Sequence, residues 1–141
     1  MNRFSSKLCV FLVAGIALFV SACASTVYIS DDLSPSELIQ RAQEASDRNR
    51  YNVALQYYEA LLERNRANID LVITAEYEIA FVHYKQKKYQ QARAGLNNLL
   101  EYYEAPDGPF LPQQFKRLAL IVLDRITEKE QPRFFSSKKT S

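Results

Sequence analysis

Tyr51-Asn52-Val53-Ala54 and, thirty-eight residues on, Tyr89-Gln90-Gln91-Ala92 open two segments of the same design. At that shift Ala42 falls on Ala80, Tyr51 on Tyr89, Ala54 on Ala92, Leu61 on Leu99, Leu62 on Leu100 and Glu63 on Glu101. Six identities concentrated at sites that should pack mark an internal repeat. Between Arg48 and Tyr103 the chain is rich in Ala, Leu, Glu, Gln, Arg and Tyr and contains one Gly and no Pro. Such a composition favours long helices, and the spacing of apolar residues predicts them over 35–48, 52–65, 70–86 and 89–103. Ser34-Pro35-Ser36-Glu37 is a start signal for the first: Ser34 caps, Pro35 suits the first helical position, and Glu37 completes a capping box. No period-two segment of useful length competes, so the expected fold class is all-α.

Within each copy, small and large residues recur in a fixed order. The second has Ile79-Ala80, Tyr84, Tyr89-Gln90-Gln91-Ala92, Leu96 and Leu99-Leu100, with Pro106 just beyond. Ala42, Tyr51 to Ala54, Tyr58 and Leu61-Leu62 make up the first. This pattern resembles the tetratricopeptide repeat, a helix-turn-helix unit stacked into arrays. The resemblance implies a short helical-hairpin array in which Ala42, Ala54, Ala80 and Ala92 let helices approach while Tyr51, Tyr58, Tyr89 and Leu96 fill between them. It covers about 35–106, with copies at about 35–68 and 73–106. Ala45 stands where the family has a large aromatic, and His83 where it has Tyr. The period exceeds the usual, about 34 residues, which places a longer link around Arg64-Asn65-Arg66-Ala67-Asn68.

Beyond Pro106-Asp107-Gly108-Pro109, the residues Leu111, Phe115, Leu118, Val122 and Ile126 recur in three- and four-residue steps. They predict a fifth helix over 112–129 with one apolar stripe, either a cap or half of a third repeat. Residues 130–141, with Pro132, Ser136, Ser137, Lys138 and Lys139, are expected to be a disordered tail.

At the other end, Arg3 and Lys7 precede an apolar run from Leu8 to Val20, and Val20-Ser21-Ala22-Cys23 follows. Order and length are those of an export signal; a membrane-spanning helix needs about twenty apolar residues. Cleavage at Ala22 or Ala24, or retention as a short anchor, are the competing readings. Val20 to Cys23 resembles the lipobox of bacterial lipoproteins. That resemblance implies removal of residues 1–22, lipidation of Cys23, and membrane attachment through its acyl chains. Ala24 after the cysteine then favours the periplasmic face of the outer membrane. Residues 23–33 are expected to form a tether, and residues 34–129 the folded domain.

Charge and chemistry narrow the function further. The chain has eighteen basic and sixteen acidic residues; without Arg3 and Lys7, sixteen of each remain. Nucleic-acid binding therefore has no electrostatic footprint. Cys9 lies in the leader and Cys23 is committed to lipid, so no thiol remains for a metal or nucleophile. His83 is the single histidine, at a packing position of the repeat, and Gly15, Gly95 and Gly108 are too scattered for a phosphate loop. No catalytic residue, metal site or cofactor is expected, and the chain does not read as an enzyme.

Tyr77, Phe81 and Tyr84 share one side of the third helix, with Lys85 at its edge. By repeat position these residues, with Ile39, Gln43 and Asp47 from the first copy, would line the concave groove of a tetratricopeptide array and take a protein or peptide partner. Coverage of the stripe by the fifth helix is the competing expectation. The chain also looks like the repeat lipoproteins of the outer-membrane β-barrel assembly machinery, in lipobox, short tether and long repeats rich in Tyr and Leu-Leu. The implied function is a membrane-anchored adaptor in an envelope complex. The alternatives are an accessory to peptidoglycan enzymes or a transporter, or a small-molecule carrier with an aromatic-lined cleft.

Overall fold

Ser34 starts the first helix by the mechanism its sequence announces. Its Oγ accepts from the Glu37 amide, the Glu37 carboxylate accepts from the Ser34 amide, and Pro35 occupies the first turn. The structure, a computed structural model, describes residues 26–130. Among these residues there are five α-helices and no strand: α1 Pro35–Asp47, α2 Tyr51–Arg64, α3 Ile69–Lys85, α4 Tyr89–Glu104 and α5 Gln113–Glu130, with a 3-10 turn at Gly108–Phe110. Every boundary lies within one residue of the expected one. The leader, Cys23 and the tail after Glu130 lie outside the described residues.

The repeat extends to the backbone. Asn49 and Lys87, thirty-eight positions apart, are the two non-glycine residues with left-handed φ, at 57° and 62°. Around them the same bonds close the turn: Arg50 N–H to Ala45 C=O at 2.8 Å and Lys88 N–H to His83 C=O at 3.0 Å. A left-handed residue after the last helical turn reverses the chain while satisfying the final carbonyls. Two hairpins result, α1–α2 and α3–α4. Asn65–Asn68 links them, and Asn68 caps α3 by accepting from the Leu71 amide.

Packing proceeds helix by helix: α1 on α2, α2 on α3, α3 on α4, and α5 on both α4 and α3. This is an all-helical hairpin array consistent with a tetratricopeptide-like arrangement. Leu38, Ala42, Ala54, Tyr58 and Leu61 form the first core cluster, which Ala75 and Val82 of α3 complete. On its other side α3 lends Ile73, Tyr77 and Ala80 to a second cluster with Leu96, Leu99, Val122 and Ile126. Each fully buried aliphatic side chain contributes about 1.5–3 kcal/mol, so α3, serving both clusters, is the element on which the fold depends most.

Two glycines sit where a side chain has no room. A Cβ on Gly95 would lie 3.0 Å from the Ala80 Cβ, so the α3–α4 approach rests on two small residues. At Gly108 a Cβ would lie 2.3 Å from the Tyr103 carbonyl oxygen. That carbonyl belongs to α4 and cannot swing aside. Gly108→Ala should therefore cost about 1–3 kcal/mol of stability through forced displacement, read as a lower midpoint in urea unfolding.

The expected tether is corrected from Val27 onward. The Val27 amide donates to Gln56 Oε1 at 2.9 Å, and Val27, Ile29 and Leu33 pack on the first cluster. Arg64 at the end of α2 donates to the carbonyls of Ser30 (2.9 Å) and Ile29 (3.3 Å) and pairs with Asp31 at 3.2 Å. Val27 and Ile29 face inward while Tyr28 between them is 89% exposed. That alternation is the period of an extended strip lying on a surface.

Candidate functional site

Helix α3 presents its aromatic residues at i, i+4 and i+7, and the structure stacks them. The Tyr77 and Phe81 rings lie 5.8 Å apart at 12°, and Phe81 and Tyr84 lie 5.8 Å apart at 19°. Tyr89 from α4 continues the ladder beyond Tyr84 at 6.1 Å, and Phe115 from α5 closes it against Tyr77 at 5.3 Å. Such pairs contribute about 0.5–1.5 kcal/mol each beyond the area they bury. The ladder thus ties α3, α4 and α5 together.

The groove-lining expectation is corrected at Tyr77, which is 5% exposed. Phe115 covers it, so Tyr77 supports the fold instead of meeting a partner. Burial pushes its hydroxyl pKa up to about 12. Ile39 is likewise taken up by packing, against the first cluster. Phe81 and Tyr84 remain half-buried, while Gln43 and Asp47 are exposed on α1.

Lys85 joins the two hairpins. Its ammonium donates to Ser46 Oγ at 2.8 Å, lies 4.0 Å from Asp47 Oδ1 and sits 5.6 Å from the centre of the Tyr51 ring. The structure therefore brings together Asp47 and Lys85, two residues expected to act at equivalent repeat positions. Their ion pair is open to water and contributes at most about 1 kcal/mol; the shared Ser46 and Tyr51 contacts hold the ammonium in place. One turn earlier on α3, Glu78 accepts from the Tyr58 hydroxyl of α2. Burial raises the Glu78 pKa, opposed by that hydrogen bond and by the Lys85 charge; burial raises that of Tyr58 as well. Ser46, Tyr51, Tyr58 and Glu78 were not singled out from sequence. Phe115 had a signal: thirty-eight residues back stands Tyr77.

His83 is half-buried and lines an open groove of about 370 Å³ with Leu62, Glu76, Ile79 and Gly95. Glu76 there accepts from the Tyr102 hydroxyl at 3.0 Å, and burial raises its pKa. Among the described residues no cluster of three or more His, Cys, Asp and Glu side chains is placed to hold a metal ion. No described helix is long and apolar enough to cross a membrane.

The chain is similar to a protein of Treponema pallidum (strain Nichols) described as uncharacterized. The two are 38% identical over 111 residues, a stretch covering 77% of this chain and 44% of that protein. The chain thus spans less than half the length of the curated relative it matches. No family model matches it, and no solved structure does.

Proposed function

We propose that the protein is a bacterial lipoprotein, anchored through Cys23 to the periplasmic face of the outer membrane, that docks a protein partner within an envelope complex. The observation that carries this reading is the pairing of a lipobox-like Val20-Ser21-Ala22-Cys23 with a small helical-hairpin array. Acyl chains hold a domain at a surface, and stacked hairpins offer faces for binding. Gln43 and Asp47 on α1, with Phe81, Tyr84 and Lys85 on α3, form the docking face: half-buried rings supply apolar area, and the exposed polar residues supply register. Outer-membrane β-barrel assembly is the complex that best fits the likeness of leader and repeats to that machinery's lipoproteins.

Photo-crosslinking from Gln43 and from Tyr84 in intact cells tests both levels of the proposal. The expected outcome is a discrete adduct from each position containing a β-barrel assembly component. Adducts with peptidoglycan synthases or hydrolases alone would reassign the complex. No adduct from either position would remove the docking face.

A further inference from the structure

Repeat register does not stop at the second hairpin. Continued by thirty-eight residues, it sets Phe115 of α5 on Tyr77 of α3 and on Ile39 of α1. Helix α5 also packs on the hairpin before it, as α3 packs on α2. It therefore stands as the first helix of a third unit.

In the first two units the first helix buries one face under its second helix. Ala42 and Ala45 of α1 are 0% and 1% exposed, and Ala80 of α3, 1% exposed, meets Gly95 of α4. The matching positions in α5 are Leu118 and Ile121, and Phe110 matches Val72. These three are 40%, 48% and 86% exposed. Apolar side chains stand in water on α5 where its counterparts are covered. Exposed apolar groups clustered on one element mark a binding face.

We propose that this face of α5 takes an amphipathic helix from another protein, seated as the second helix of a third hairpin. Both second helices of this chain define what would fit. Each carries a small residue and a leucine two turns later, Ala54 with Leu61 and Ala92 with Leu99, and each carries two glutamates, Glu59 and Glu63 or Glu101 and Glu104. Around Leu118 and Ile121, Arg117 and Arg125 make no salt bridge among the described residues, and Glu128 lies one turn further on. An acidic amphipathic helix matches that rim. The eleven residues after Glu130 do not resemble one: they hold neither Ala nor Leu and include Pro132. This face lies apart from Gln43, Asp47 and Lys85, and the inference does not rest on membrane attachment.

A peptide of the α4 sequence, residues 89–104, serves as the probe, added to the full chain carried in phospholipid nanodiscs. Saturable binding with a gain of helical circular dichroism is expected. Ile121→Glu should weaken binding at least tenfold and Gln43→Glu should leave it unchanged, while a peptide carrying Ala92→Glu and Leu99→Glu should not bind. Binding insensitive to Ile121→Glu, or no binding, would overturn the proposal. So would a dimer of the full chain that Ile121→Glu dissociates, since the occupant would then be a second copy. Binding that appears only after deletion of residues 132–141 would identify the tail as the occupant and overturn it too.

Discussion

Truncating Leu96 to alanine is expected to cost about 2–5 kcal/mol, a large share of the roughly 5–15 kcal/mol that keeps a small domain folded. Leu96 is 0% exposed, in one cluster with Ile73 and Tyr77 of α3, Leu99 of α4 and Ile126 of α5. Removing its three terminal carbons takes apolar area out of the core and leaves a cavity between three helices. Stacked hairpins touch only their neighbours, so little else compensates. The measurement is the urea midpoint, compared with Leu120→Ala. Leu120 is 50% exposed, and its truncation should stay within about 0.5 kcal/mol, as for ordinary surface substitutions. Equal shifts for the two variants would contradict the assigned core.

Cys23→Ser should have the largest effect on location. On the lipoprotein proposal the thiol is the attachment point of the diacylglycerol, and its hydroxyl replacement cannot form the thioether. Each buried methylene contributes about 0.8 kcal/mol and a single acyl chain binds only marginally, so loss of the modification removes stable anchoring. Fractionation should show the wild-type chain with membranes and the variant either released or still carrying its leader. Mass spectrometry of the N-terminal peptide supplies the second readout. An unmodified Cys23 on a mature wild-type chain would end the lipoprotein proposal, whereas the helix-docking face on α5 would be untouched.

Much of the fold is legible in the amino-acid order because local and tertiary signals agree. Ser34-Pro35-Ser36-Glu37 starts α1 as written, and the shift that aligns Tyr51 with Tyr89 also aligns the left-handed Asn49 with Lys87. Neither Asn49 nor Lys87 announces its conformation, however, because the positive φ is imposed by the helices that the turn joins. The segment before Ser34 is the clearest miss. Val27 and Ile29 give too short an alternation to stand out, and Arg64, which holds their carbonyls, is 35 residues away. The candidate site was legible in residue type and only partly in exposure. Spacing placed Tyr77, Phe81 and Tyr84 on one face, but which of them is covered depends on Phe115, and hence on how α5 packs. Lys85 and Asp47 meet because two hairpins stack, and the residues that fix the ammonium, Ser46 and Tyr51, come from the first of them.

The clasp between Arg64 and the strip ahead of α1 bears on how an acylated chain would stand on its bilayer. Val27 is already bonded to Gln56, so the free leash from Cys23 is four residue steps, at most about 14 Å even when taut. A domain on so short a leash cannot swivel freely. Its α1–α2 edge would be turned toward the lipid headgroups, and α5 at the opposite end of the array would point away from them, toward whatever approaches from the aqueous side.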